Sequence, residues 1–409
     1  MNKASPNQLT EHFFRHNHAK IVAILVRYFG LKEVEIAEDI VQDTLIEALE
    51  KWSVRSIPDN PEGWLMDVAK KKTINFLKRH QNFQSKIAPN LIGKSLSSTG
   101  SSVEKDSTLR MIFTCCHPTL PKESQISLAL KTLCGFTVSE IANALLTNES
   151  TINKRLYRAK QKFRDGTIAY QIPKDGALQK RLEGVFYTLY LLFNEGYYSS
   201  HSEKIIRMDL CFESIRLLEE VIASFPNSQQ AKALLALMYF CVARFESRMD
   251  EKGAIVILAA QNRKLWSKEL IAKGMNQLLQ STKSNEVSSY HLQAGIAAEH
   301  CLADSFESTN WESIYQQYVI LEKLNPSIII TFNKIIAKFY GINREEALSD
   351  LLALKNEPEL QHNVHYFTSI GLFYTQLQHH EKAVPFFETA LRISKIPAEK
   401  ALIRRKLQN

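Results

Sequence analysis

The stretch GFTVSEIANALLTNESTINKRLYRAKQKFR, residues 135–164, decides how the chain is read. Gly135 interrupts what precedes it, Thr137 is a capping residue, and Val138–Leu145 has the spacing of a short helix. Leu146-Thr147-Asn148 reads as a tight turn and Glu149–Arg164 as a longer, basic helix. Ile141, Ala142 and Leu145 face Ile152 and Leu156, with Ala142 small enough for a close crossing. This is the pattern of a helix-turn-helix. The N-terminal end of its second helix points at base edges in a major groove, which makes Asn148, Glu149, Ser150, Thr151 and Asn153 candidate base-reading residues. Lys154, Arg155 and Arg158, followed by Lys160, Lys162 and Arg164, suit contact with phosphates.

Charge supports this. The 409 residues carry a formal net charge of +8. Residues 1–172 hold 24 Lys and Arg against 17 Asp and Glu, whereas residues 173–409 hold 27 against 26. A basic part joined to a neutral part suggests a polyanion-binding module joined to something else, although charge alone fits ordinary lysine-rich solubility equally well. The composition is rich in helix formers and poor in Gly and Pro, at 14 and 12, so an all-α fold is expected.

Residues 1–82 read as one helical module, with apolar stretches at Ile21–Phe29, Ile36–Leu49 and Trp64–Leu77. The middle stretch, EIAEDIVQDTLIEALEKW (35–52), puts Ile36, Ile40, Val41, Leu45 and Leu49 on one face and Asp39, Asp43, Glu47 and Glu50, with Gln42, on the other. The third, PEGWLMDVAKKKTINFLKRH (61–80), interleaves Lys70, Lys71, Lys72, Lys78 and Arg79 with Trp64, Phe76 and Leu77. Basic residues beside aromatics suit unpaired bases, which can stack. Taken alone, the acidic stripe reads as a solvated face and the aromatics as core.

A Ser/Gly-rich run, NLIGKSLSSTGSSVEKDS, marks residues 83–108 as a flexible linker. Residues 109–172 form the helix-turn-helix module, with a helix expected around Lys122–Leu133, and a punctuated segment containing Pro173 leads into residues 178–409. That half is helix after helix. Gly371, Tyr374, Ala383, Phe387 and Ala390 stand at the intervals of a tetratricopeptide helix pair, with weaker echoes in SIRLLEEVIASFP and SIYQQYVILEKLNP.

In this order, the acidic helix, the basic helix, the linker and the helix-turn-helix resemble the extracytoplasmic-function class of RNA polymerase sigma factors. RMIFTCCHPTLPKES (110–124), YLLFNEGYYSS (190–200), LLALMYFCVAR, AAQNRKLW, YHLQAGIAAEH and LNPSIIITFNKIIA resemble its subgroup with a long tetratricopeptide-like C-terminal extension, so the likeness covers almost the whole chain. The resemblance implies that Asp39, Gln42, Asp43 and Glu47 face the β′ clamp of core RNA polymerase. It implies that Trp64, Lys70, Lys71, Lys72, Asn75, Lys78 and Arg79 lie on the helix that melts and reads the −10 element of promoter DNA. The helix-turn-helix would then read the −35 element and dock on the β flap, and a protein partner on the C-terminal half is a further implication. The chain departs from the class at Asn75, where Asp is usual, at Asn153, where a basic residue is usual, and at Ala260 and Asn262, where acids are usual. The rival reading is a helix-turn-helix regulator with a repeat sensor domain, acting without polymerase.

Six cysteines are scattered without a C-x-x-C pair, which argues against a disulfide framework. Cys115-Cys116-His117 is read as buried packing rather than a metal site, because adjacent cysteines fit one tetrahedral ion poorly. No catalytic motif occurs, so neither enzyme activity nor a cofactor is expected. The N-terminus lacks a signal-peptide core, and no apolar run approaches the ~20 residues of a membrane span. A cytoplasmic, membrane-free protein is expected.

Overall fold

The computed structural model describes residues 6–54, 57–79, 101–145, 147–173, 176–197, 208–250, 256–283, 286–394 and 397–408. The chain is all-α, with no strand among the described residues. It divides into two compact units, Met1–Val221 and Ile222–Asn409.

The first unit begins with α1 (Pro6–Phe29), α2 (Val34–Val54) and α3 (Pro61–Arg79). Gly30, at φ 88°, turns the chain between α1 and α2. Ile21 to Val26 of α1 are all buried, as are Val34, Ala37, Val41 and Ala48 of α2, and the two helices pack together. Leu49 was expected on the buried face, but it is 52% exposed, as is Ile46 at 47%. The apolar stripe of α2 therefore runs along residues 34, 37, 41 and 48, and Leu49 falls one residue outside it.

Next come α4 (Ser101–Cys115), α5 (Lys122–Leu128), α6 (Val138–Ala144) and α7 (Glu149–Arg164). The linker expected over 83–108 differs at its C-terminal end: residues 101–108 already belong to α4, with Ser107 and Thr108 buried. Residues 83–100 lie outside the described residues. The helix expected over Lys122–Leu133 is present, but its last turn, Ala129–Leu133, widens to a π-helix. Gly135 follows at φ 67°, and a Cβ there would come within 3.1 Å of the His18 ring, so α1 and the helix-turn-helix module approach closely at this residue.

The two modules share one core. α1 packs on α4 and on the π-turn, and the loop after α1 packs on α7. The Tyr170 hydroxyl lies 2.8 Å from the carbonyl oxygens of both Ala23 and Ser107. The expected boundary near residue 172 is also crossed. Helix α8 (Gly176–Tyr197) packs on α4 and α5. Arg181 donates to the carbonyl of Phe113, Thr188 bonds Gln125 at 3.2 Å, and Lys122 lies 4.4 Å over the ring of Tyr187. Helix α9 (Met208–Ser224) follows, its Ser214 hydroxyl donating to Leu189 of α8 at 2.7 Å.

The second unit continues with α10 (Gln229–Val242), α11 (Lys268–Ser281), α12 (Ser289–Leu302), α13 (Trp311–Leu324), α14 (Ile328–Gly341), α15 (Arg344–Ala353), α16 (Val364–Gln376), α17 (His380–Ile393) and α18 (Pro397–Gln408). Successive helices pair: α10 with α11, α13 with α14, α16 with α17. In the last pair Gly371 lets the Phe387 ring lie where a Cβ would meet it at 2.7 Å, and Ala383, Phe387 and Ala390 are buried. Gln378, at φ 62°, turns the chain between the two helices, and His379 and His380 are exposed.

Because α8 covers α4 and α5, a chain ending at residue 175 should melt at a lower temperature than one ending at Pro226. Thermal unfolding followed by circular dichroism, with an apolar dye reporting exposed core, checks this; equal melting temperatures contradict it.

Candidate nucleic-acid interface

Helix α7 is fixed at both ends. Its N-cap is Asn148, whose amide oxygen accepts from the Thr151 N–H and the Ser150 hydroxyl, each at 2.8 Å. Helix α6 carries a capping box: the Thr137 hydroxyl accepts from the Glu140 N–H at 3.2 Å, and the Glu140 carboxylate accepts from the Thr137 N–H at 2.8 Å. Ile152, Leu156, Ala159 and Phe163 of α7 are buried, with Ile141 and Ala142 of α6 buried opposite. Leu146 lies outside the described residues.

This orientation sorts the candidate base and phosphate contacts. Asn148, Glu149, Ser150, Asn153, Lys154 and Arg158 are exposed, and Thr151 and Arg155 are half-buried. Tyr157, which the sequence reading passed over, is 62% exposed on the same helix between Lys154 and Arg158. Three of the six basic residues expected at phosphates are engaged within the protein instead. Lys162 donates to the Thr119 carbonyl at 2.7 Å. Arg164 pairs with Glu35. Lys160, only 9% exposed, donates to the Glu38 carboxylate at 2.8 Å and lies 3.7 Å from Glu35. The other oxygen of Glu38, itself 6% exposed, accepts from Thr132 at 2.8 Å. One position in the apolar stripe of α7 is thus a lysine, matched by a glutamate in the stripe of α2.

On α2, Asp39, Gln42 and Asp43 are exposed and lie beside exposed Ile46 and Leu49. Desolvation, then the carboxylates of Glu38, Asp43 and Glu35, push the Asp39 carboxyl above its usual range, against a downward pull from Lys160. Glu47 differs from them. It is half-buried between Lys51 at 2.7 Å and Lys72 at 3.0 Å, and those hydrogen bonds hold its pKa low. Lys72 therefore also bonds within the protein.

On α3, Lys71 and Asn75 are exposed, and Lys70 and Trp64 are half-buried. The Trp64 ring lies 5.5 Å from Trp52, which stacks on Phe14 at 5.7 Å. Trp64 thus belongs in part to an aromatic core. The side chains of Lys78 and Arg79 lie outside the described residues.

Burial pushes the Cys116 thiol up to about 12 and Cys115 well above its usual value, so both are neutral. No cluster of three metal-ligating side chains occurs among the described residues.

A helix-turn-helix with a capped, exposed recognition face defines a DNA-binding protein. The comparisons name its family. Residues 13–83 match the model for Sigma-70 region 2, residues 110–163 that for Sigma-70 region 4, and residues 181–282 a family of unknown function (DUF6596). An uncharacterized protein of Rhizobium meliloti (strain 1021) is 31% identical over 396 residues, covering 94% of this chain and 92% of its own. The chain belongs to the sigma-70 family, with a sigma-factor-like role in transcription initiation through core RNA polymerase and promoter DNA. That family consists of transcription factors, not enzymes. No solved structure matches the chain. No helix among the described residues is long and apolar enough to cross a membrane.

Two outcomes follow. Lys160→Ala leaves the Glu38 charge buried without its partner and should cost about 3–5 kcal/mol of stability, while exposed Lys154→Ala should change it by less than about 0.5 kcal/mol, both read by urea unfolding. Burial lowers the pKa of His18 to about 4. The unfolded chain takes up this proton near the ordinary value and the folded chain does not. Stability is therefore complete above pH 6.5 and falls by about 3 kcal/mol as the pH drops through the window down to 4. His18→Gln should flatten that part of the pH profile of unfolding; an unchanged profile contradicts the assignment.

Proposed function

We propose that the chain is a sigma factor of the extracytoplasmic-function class, working in the cytoplasm, and that its C-terminal half is a tetratricopeptide-like extension that modulates it. The observation that carries this is the pair of outward faces on α2 and α7. Asp39, Gln42 and Asp43 beside Ile46 and Leu49 form an acidic and apolar surface suited to the β′ clamp, and the crowding of carboxylates around Asp39 favours a basic partner. Glu47 supports this face from its edge through Lys72.

On this reading Lys70, Lys71, Asn75, Lys78 and Arg79 of α3 contact the melted −10 strand, with Trp64 and Lys72 shaping the helix that presents them. Asn148 caps α7, while Glu149, Ser150, Thr151 and Asn153 meet the −35 bases and Lys154, Arg155 and Arg158 meet phosphates. The same module docks on the β flap. Each well-formed bidentate base contact would contribute about 1–3 kcal/mol of discrimination. Region boundaries follow the division into 1–82, 109–172 and the extension from 178, although α8 is structurally part of the region 4 core. The Rhizobium meliloti relative is matched over the extension as well, so the extension is shared and not a fused accident. A partner protein on its paired helices is the remaining part of the proposal.

Run-off transcription on genomic fragments with purified core polymerase tests this. Discrete transcripts that require the protein are expected. Duplex binding without any protein-dependent transcript or core binding would establish the rival regulator instead. Leu49→Asp should weaken core binding about tenfold or more with the helical spectrum unchanged. Lys154→Ala and Arg158→Ala should each reduce the salt slope of DNA binding by about 0.9.

A further inference from the structure

We propose that the C-terminal helix, α18, is a further DNA contact, which grips the phosphates of duplex DNA without reading its sequence. The proposal adds to the sigma-factor reading, because it puts DNA-binding charge outside the regions to which that reading assigns promoter contact.

Charge distribution carries the argument. Residues 173–391 hold 21 Lys and Arg against 25 Asp and Glu, so most of the C-terminal half is acidic. Residues 392–409 reverse this, with six basic residues and one acid. That acid, Glu399, is turned inward: it is 9% exposed and accepts from the Ser394 hydroxyl at 2.9 Å. Arg404 and Arg405 are exposed, as is Arg392 near the end of α17, and Lys400 and Lys406 are half-buried on either side of them along α18. None of these five cations pairs with a carboxylate among the described residues. Other lysines of the same unit do: Lys273 with Glu269 at 2.8 Å, Lys334 with Glu322, and Lys338 with Asp350 at 2.8 Å. Lys400 and Arg404 stand one helical turn apart and repel each other, which disfavours the helix itself. A helix that only closed the array against water would need polar residues of either sign.

The chemistry of the face selects the partner. Helix α18 contains no aromatic residue, so unpaired bases would find no stacking surface there. It exposes no large apolar side chain to a lipid layer: Ile403 is 1% exposed, and Leu407 packs on the cluster of Ala383, Phe387 and Ala390. Two adjacent guanidiniums, each able to hold a phosphate through paired N–H donors, with two lysines beside them, suit a duplex backbone. Contacts of this kind strengthen binding and carry no sequence information.

The test is the salt dependence of binding by the full chain to a random-sequence duplex several helical turns long. One variant carries Lys400→Gln, Arg404→Gln, Arg405→Gln and Lys406→Gln. A control removes the same charge from exposed positions elsewhere in the C-terminal half, as Lys264→Gln, Lys268→Gln, Lys323→Gln and Lys355→Gln. Each is checked for the native helical spectrum and melting temperature. Each phosphate contact contributes about 0.9 to the slope of log K against log salt, so the α18 variant should lose about 2 or more and the control less than about 0.5. Arg404→Lys with Arg405→Lys should keep the native slope. Should the fourfold variant fail to fold, Arg404→Gln with Arg405→Gln decides, with an expected loss of about 1 or more. An unchanged slope in the α18 variant overturns the proposal, as does an equal loss in the control. An unchanged DNA slope with lost binding of polyglutamate also overturns it, and assigns the helix to an acidic protein. Lys154→Ala is measured alongside: an unchanged slope there counts against the reading of region 4 and leaves the α18 comparison intact.

Discussion

The buried contact between Glu38 and Lys160 is the constraint on which the first unit depends. A lone charge at either site would be strongly destabilising, so each residue requires the other helix to be in place. Shifting α7 relative to α2 would leave both charges unpaired. The pair thereby joins a helix of region 2 to the recognition helix of region 4. It also sets which face of α7 points outward: with Lys160, Phe163 and Leu156 turned in, Asn153, Lys154 and Arg158 must turn out.

The same packing logic explains why the extension does not begin where the helix-turn-helix ends. Region 4 alone would leave the Phe113 carbonyl and the Gln125 side chain without Arg181 and Thr188. Helix α8 completes that core, and the compact unit ends only at Val221. The later helices pair by a different device, in which a small residue on one helix admits a ring from the next, as Gly371 admits Phe387. The chain beyond residue 172 therefore has two structural parts: helices integral to the core of the first unit, and a paired-helix array that follows.

Much of this was legible in the sequence. The all-α fold, the helix-turn-helix and the cap at Thr137 follow from local chemistry, which hydrogen-bond geometry realises directly, whereas Asn148, expected in the turn and at the bases, is the N-cap of α7. The acidic face of α2 was also legible at Asp39, Gln42 and Asp43. What was not legible depends on which face of a helix meets another module. Lys154 and Lys160 are alike in a run of basic residues, yet one is exposed and the other buried. The signal that separates them is position: Lys160 follows Ile152, Leu156 and Ala159 in the apolar stripe of α7, as Glu38 follows Val34 and Ala37 in that of α2. Leu49 carries the converse signal, an apolar residue just off the stripe, beside Ile46. The linker is shorter than its composition suggests: Ser101, Ser102 and Ser107 suggest a loop, whereas Val103, Leu109 and the residues that follow belong to a helix that packs on α1.

The buried Glu38–Lys160 pair ties α2 and α7 into one cooperative unit of stability. Hydrogen exchange on the full chain, native and Glu38→Gln, tests it most directly. The account predicts that the substitution lowers protection together at residues 37–44 of α2 and 156–163 of α7. A loss confined to α2, with α7 amides exchanging as in the native chain, would contradict it.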